Sequence, residues 1–243
     1  MPGKTVKTEA IVLRSIRYGE ADRILHLYSA ARGRVNAIAK GVRKPRSRFG
    51  GRLEPFFRLD LLLHEGRSEL LTVTSVATVD GYPRLRSSAA ALDAGARACD
   101  AVLRLLDAAE PNPHAYNLLC RYLSRLDDDP AGEHAAGVEV ALAFRLKLAL
   151  AAGFAPELAS CVRCGEAEHL SGFSGAAGGV VCSACEAGSF PLSETAHGFM
   201  VEAISRPLAE APAGVGERDL RQVERAVGET LEHHAHVQLR SAA

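Results

Sequence analysis

The residues best suited to do chemistry in this sequence are two cysteine pairs, Cys161-Val162-Arg163-Cys164 and Cys182-Ser183-Ala184-Cys185, separated by a spacer over 165–181. Two such pairs at this separation match the four-thiolate zinc pattern. Cysteines three positions apart on a tight turn bring their sulfurs about 3.5 to 4 Å from each other, which suits two corners of a tetrahedron with Zn–S near 2.3 Å. Gly165 follows the first pair, where a backbone bending back toward the thiolates favours a residue without Cβ. Gly172, Gly175, Gly178 and Gly179 make the spacer a turn-rich hairpin. Four protein ligands leave no open coordination position, so one zinc on Cys161, Cys164, Cys182 and Cys185 is expected to be structural. Two disulfides would need an oxidising compartment, and the sequence shows no signal peptide. A nucleobase deaminase would need a Pro before the pair and an upstream His-x-Glu, and the sequence has neither. Cys99 and Cys120, in apolar helical-looking segments, read as small core residues.

A second cluster is electrostatic. Between 40 and 52 lie Lys40, Arg43, Lys44, Arg46, Arg48 and Arg52 with no acid among them, and Gly and Pro keep the backbone open. Crowding these charges costs self-repulsion, which a polyanion would relieve; the bland alternative is a solvated charge run. Net charge is zero over the 243 residues, but the first 81 carry fifteen basic and eight acidic residues, a net +7, and the remainder carries −7. A basic module joined to an acidic one suggests that the first faces the polyanion and the second binds protein. Apolar runs stop short of membrane-spanning length, so the chain reads as soluble and cytoplasmic.

Stepping along the chain, the first third reads as five strands. They fall at 6–16, 24–28, 34–40, 56–64 and 69–77, with turns at 17–20 and 65–68. In the third, Val35, Ala37 and Ala39 alternate with Arg34, Asn36, Ile38 and Lys40, giving an apolar face and a largely cationic one. In the fourth, Phe57, Leu59, Leu61 and Leu63 share a side. Five short strands with one long excursion between the third and fourth fit a Greek-key barrel of the OB type. Such barrels bind single strands across strands two and three and the neighbouring loops, so the basic loop continues the expected surface. Aromatics here are limited to Tyr18, Tyr28, Phe49, Phe56 and Phe57, so phosphate contacts should outweigh stacking.

Beyond Pro83 the pattern turns helical. Ser87-Ser88 caps a helix to Asp107 with Leu92, Ala96, Cys99, Leu103 and Leu106 at helical spacing. After Pro111 to Pro113, a second helix covers 114–126 and stops at Asp127-Asp128-Asp129-Pro130, read as a solvated end. A third over 133–152 carries Val138, Leu142, Arg145, Leu146 and Ala149 and ends at Gly153. After the cysteine module, Ser193 opens a helix to Ile204 and Gly216-Glu217 one to about Leu239. The expected organisation is an OB domain over 1–81 and a helical domain over 82–243, with a zinc finger inserted at 158–190: an α+β multidomain chain.

Two sets of motifs then resemble a known family, the bacterial RecO DNA repair proteins. The first set is Thr8-Glu9-Ala10-Ile11-Val12-Leu13-Arg14, Tyr18-Gly19-Glu20-Ala21-Asp22-Arg23-Ile24, Gly33 and Ala39-Lys40-Gly41-Val42-Arg43-Lys44. The second is Leu150-Ala151-Ala152-Gly153-Phe154-Ala155-Pro156, Cys161-Val162-Arg163-Cys164-Gly165, Phe173-Ser174 and Gly178-Gly179-Val180-Val181-Cys182. The resemblance spans nearly the whole chain in order. It implies an OB domain followed by a helical domain with a four-cysteine zinc finger, although not every member keeps the cysteines. It also implies a non-enzymatic, nucleoid-associated role in recombinational repair. In that role the protein binds single- and double-stranded DNA, anneals complementary strands, and with RecR helps RecA replace single-stranded-DNA-binding protein, whose tail docks among the helices. The DNA-binding set expected here is Arg14, Arg34, Lys40, Arg43, Lys44, Arg46, Arg48 and Arg52.

Enzyme motifs are incomplete: Gly3-Lys4-Thr5 lacks the upstream Gly of a phosphate loop, and Gly214-Val215-Gly216 lacks the third Gly and the preceding strand. His233, His234 and His236 read as a solvated helix end rather than a metal site. The competing class is an RNA-binding or ribosome-associated OB and zinc-finger protein, which composition alone does not separate from a DNA-binding one.

Overall fold

The computed structural model describes residues 4–66, 68, 70–106, 110–129 and 134–242. Gly3, Arg67, Glu69, Asp107, Pro130 and Glu133, on which some of the expected features fall, lie outside the described residues. The chain packs into two compact units, Met1–Pro130 and Ala131–Ala243.

In the first unit, five strands close into a barrel: β1 (Lys4–Tyr18), β2 (Asp22–Ser29), β3 (Gly33–Ala39), β4 (Arg58–Glu65) and β5 (Leu71–Asp80), in the order β1-β2-β3-β5-β4. Closure depends on the length of β1. Its first part, from Lys4 to Ile11, pairs with β4, while Ala10 to Tyr18 pairs with β2, and a bulge between Val12 and Arg14 bends the strand between the two roles. The barrel is completed by a short parallel contact, Ala37 to Leu71 and Ile38 to Thr72. This is the OB architecture expected from the alternation, and β3 buries Val35, Ala37 and Ala39 while turning Arg34, Asn36 and Ile38 outward.

The excursion between β3 and β4 is a plug as well as a loop. Phe49 and Leu53, each 1% exposed, sit in the barrel core with Leu27, Leu59 and Leu61. Phe56 and Phe57 precede β4 rather than opening it. Phe56 has φ of 77°, its N–H donates to the Val12 carbonyl, and Val12 N–H returns to the Phe57 carbonyl. These two bonds continue the β4 side of β1 past the Ile11–Arg58 pair.

Helices α1 (Ala89–Leu105) and α2 (Pro113–Asp128) complete this unit. Ser88 caps α1 by accepting from Ala91 N–H, and Asn112 caps α2 by accepting from Ala115 N–H, with Pro113 in the first turn where its missing N–H costs nothing. The buried face of α1 keeps Cys99 from the expected set but is otherwise a different one. Leu92 and Ala96 are exposed, and Ala94, Gly95, Ala98, Val102 and Leu105 face inward. Small residues win that face because they permit close approach: a Cβ on Gly95 would lie 3.3 Å from the Phe56 ring. The acidic end of α2 is likewise more than solvated, since Asp127 accepts from Leu85 N–H at 2.8 Å and Asp128 pairs with Arg84. Cys99 and Cys120 are buried as expected, and burial pushes the Cys99 thiol up to about 12.

Glu9 on β1 ties α2 down. It accepts from Tyr116 Oη at 2.7 Å and from Arg58 Nε at 2.9 Å. Burial alone would raise the Glu9 pKa, but the Tyr116 hydroxyl and the Arg58 guanidinium outweigh it and hold the carboxyl below its ordinary value. A carboxyl lowered on folding stabilises the protein above the unfolded pKa, and that contribution is lost as pH falls through the folded value. Glu9→Gln should therefore lower stability at neutral pH by on the order of 1 kcal/mol, partial exposure discounting the usual value for charge-assisted bonds. Denaturant titrations at pH 7 and pH 3 check this, because the difference between variant and wild type should shrink at the lower pH.

The second unit is built on α3 (Val138–Ala151), buried on nearly every side through Leu142, Phe144, Leu146 and Leu148. Arg145 is 7% exposed within it, pairing with Glu224 at 3.4 Å and donating to the Arg240 carbonyl. Gly153, at φ of 82°, ends the helix. Strands β6 (Leu170–Ser174), β7 (Gly179–Cys182) and β8 (Phe190–Pro191) form a small sheet in the order β7-β6-β8. Helices α4 (Glu194–Ser205), capped by Ser193, and α5 (Glu217–Ala235) follow. The last helix stops short of Leu239: His236 takes a left-handed conformation at φ of 56°, and Val237 N–H closes on the Leu231 carbonyl.

Candidate metal centre and nucleic-acid interface

The cysteines come together as the spacing requires. The four Sγ atoms lie within 4.8 Å of one another, with Cys164 and Cys182 at 3.6 Å, too far for a disulfide near 2.05 Å and close to the ~3.8 Å edge of a Zn–S tetrahedron. The first pair sits on a knuckle in which Gly165 has φ of 79° and its N–H donates to the Cys161 carbonyl at 2.8 Å. The second pair leaves the end of β7, and the 165–181 spacer folds back through the β6–β7 hairpin to deliver it. Close approach fixes the strand: a Cβ on Gly179 would meet the Glu157 carbonyl at 2.4 Å, where Val180 N–H bonds instead.

The surroundings suit thiolates and a cation. Burial opposes ionisation of Cys161, but backbone N–H groups of Cys182, Arg163 and Cys164 outweigh it and lower its pKa. Hydrogen bonding with Cys164 and Cys182 pushes the Cys185 thiol up to about 12. Four crowded thiols of this kind ionise together only when a divalent cation neutralises them. Arg163 adds rigidity, donating to the carbonyls of Cys185 and Ala187, each at 2.7 Å. The histidines near the end of α5 stay away from this cluster. His234 is spoken for by the Gly175 carbonyl at 2.9 Å, a bond the solvated-end reading missed because it joins residues 59 apart.

The basic loop leaves β3 at Lys40 and is held at its root. Gly41 N–H donates to Asp22 Oδ1 at 2.7 Å and Arg43 N–H to the Ala21 carbonyl at 2.9 Å, so the loop is fastened to the β1–β2 turn. Its far end is fixed by the buried Phe49 and Leu53. Between these anchors Lys40, Arg43, Lys44, Arg46, Arg48 and Arg52 are all exposed. Ion pairs among the described residues engage none of them, nor Arg14 or Arg34. Three other barrel cations are neutralised, Arg23 by Glu54, Arg32 by Glu65 and Arg58 by Glu9, whereas Lys4, Lys7 and Arg17 on β1 enter no ion pair among the described residues. Arg48 lies over the Phe49 ring at 4.8 Å. Arg34 is half-buried, its Nε without a hydrogen-bond partner, and Arg14 is exposed on β1.

The architecture defines a class: an OB-barrel protein with six cations free of ion pairs on one loop, continued in the same chain by a helical unit with a four-cysteine cluster able to hold a metal ion. Residues 1–82 match the family model described as Recombination protein O N terminal, and residues 86–243 the one described as Recombination protein O C terminal. DNA repair protein RecO of Rubrobacter xylanophilus is 41% identical over 227 residues, 90% of this chain and 89% of that protein. DNA repair protein RecO of Anaeromyxobacter dehalogenans is 36% identical over 243 residues, 94% and 91% of the two chains. That of a Nocardioides species is 41% identical over 189 residues, 74% and 73%. The chain belongs to the Recombination protein O family of DNA repair proteins. None of the helices among its described residues is long and apolar enough to cross a membrane.

Proposed function

We propose that this protein is a non-enzymatic mediator of recombinational repair, acting at the nucleoid, that binds single- and double-stranded DNA through the barrel and anneals complementary strands. With RecR it helps RecA replace single-stranded-DNA-binding protein, whose tail docks on the helical domain. The observation that carries the DNA surface is the contrast between paired and unpaired cations. Arg23, Arg32 and Arg58 are matched by carboxylates, while Lys40, Arg43, Lys44, Arg46, Arg48 and Arg52 are exposed on one anchored loop without an acid. Arg14 and Arg34 extend that surface along the sheet. Annealing follows from the same charge, because two strands approach only when their mutual repulsion is screened.

Zinc is the metal the cysteine cluster suits, a closed four-thiolate site that holds Cys161, Cys164, Cys182 and Cys185 together and leaves no position for a catalytic water. The site's part in function is to keep the finger at 158–190 folded within the helical domain over 82–243, which follows the OB domain over 1–81. Unit 2 carries a net −6, which favours protein over nucleic acid as its partner.

The test is annealing of complementary strands coated with single-stranded-DNA-binding protein. The protein should accelerate annealing severalfold, and in competition single-stranded DNA should displace it at least as well as RNA of equal length. No acceleration, together with preferred binding to RNA, would establish the RNA-binding alternative.

A further inference from the structure

The barrel leaves an apolar platform open beside its cations. The β1–β2–β3 register places Arg14, Ile16 and Tyr18 opposite His26, Ile24 and Asp22, and Ile24 and His26 in turn opposite Ile38 and Asn36. These residues share the face that points away from the core, since their neighbours Leu25, Val35 and Ala37 are the buried set. Farther along, the same face is closed, and Ile11 and Tyr28 are 0% and 1% exposed. At the open end Ile16 is 37% and Tyr18 54% exposed. Aromatic rings elsewhere in the barrel are taken: Tyr28, Phe49 and Phe56 are buried, and Arg86 covers Phe57 at 4.4 Å.

Tyr18 is also joined to the cationic loop. Its cross-strand partner Asp22 accepts the Gly41 N–H, which fixes the start of the loop beside the hairpin end that carries the ring. An aromatic ring next to a phosphate-binding loop, on a strip of isoleucines, fits one ligand chemistry: an unpaired base whose flanking phosphates lie on the cations.

We propose that Tyr18 is the base-stacking residue of the nucleic-acid surface, with Ile16, Ile24 and Ile38 as its apolar floor, and that it separates single strands from duplex. The proposal rests on the DNA-binding role of the loop. Phosphate contacts treat single strands and duplex alike, whereas a ring reaches a base only where the base is unpaired. One stacked base adds affinity without reading sequence.

Tyr18→Ala should weaken binding to an oligothymidine single strand by roughly ten- to a hundredfold, the effect of removing a stacking platform, while Tyr18→Phe keeps it. Duplex binding should be unchanged in both, and so should the salt slope, because no charge is removed. The chain has no tryptophan, so Tyr18→Trp supplies a lone indole whose fluorescence should be quenched by the single strand and not by duplex. Metal content and melting temperature check that each variant is folded. If wild type binds the strand and Tyr18→Ala binds it equally well, or loses single strand and duplex alike, the stacking role is overturned while the loop's role stands. If wild type binds no oligonucleotide, the DNA-binding reading falls and the stacking proposal with it.

Discussion

Cys161→Ser should strip the metal from the protein and unfold the cysteine module, while the barrel keeps its structure. The module has little else to hold it. Its own apolar cluster is Cys161, Val181 and Cys182 with Val162, Leu170 and Cys185 against it, so half of its members are the ligands themselves. A cluster that small falls far below what a domain needs for stability, and structural zinc sites supply about 10 to 16 kcal/mol of apparent binding energy that appears as folding energy. Metal analysis should find one zinc per wild-type chain and none in the variant. Hydrogen exchange should lose protection at Val162, Val180 and Glu157, whose amides bond across the module, and hold it at β2 and β3. Wild-type protein prepared without chelator and found free of metal would falsify the zinc assignment.

Much of this was legible in the sequence, for reasons that differ by element. The cysteine pairs were readable because ligand spacing is local: Gly165 and the hairpin glycines put the turns where the sulfurs need them. The barrel was readable from period-two alternation, strongest in β3, where every inward residue is apolar and outward positions are Arg34, Asn36 and Ile38. The burial of α1 was not, because Ala and Leu occur around much of that helix and the choice of face was made by Phe56 and Leu123, which lie far away in sequence. Phe49 is a related case. Nothing in the basic loop's sequence announces its place, and only closure of the barrel shows that it fills the core. Asp127 and His234 look solvated in the sequence because their partners, Leu85 N–H and the Gly175 carbonyl, are backbone groups that no residue pattern announces.

Loss of loop charge should have the second large effect. If Lys40, Arg43, Lys44, Arg46, Arg48 and Arg34 together neutralise about six phosphates, log K for a single strand should fall with log salt at a slope near −4. Each cation removed lowers that slope by about 0.7, so Lys44→Ala, Arg46→Ala and Arg48→Ala combined should flatten it by roughly 2 units and weaken binding about a hundredfold at 0.1 M salt. These side chains are exposed and make no ion pair among the described residues, so fold and metal content should survive. Annealing should fall in parallel.

The salt dependence of single-strand binding, measured on the full chain and on this triple variant, tests the central claim most directly. A slope near −4 that falls to about −2 places the DNA on the loop. An unchanged slope in the triple variant would contradict the account, leaving the loop a solvated charge run and moving the DNA to the face near Arg14 and Arg17.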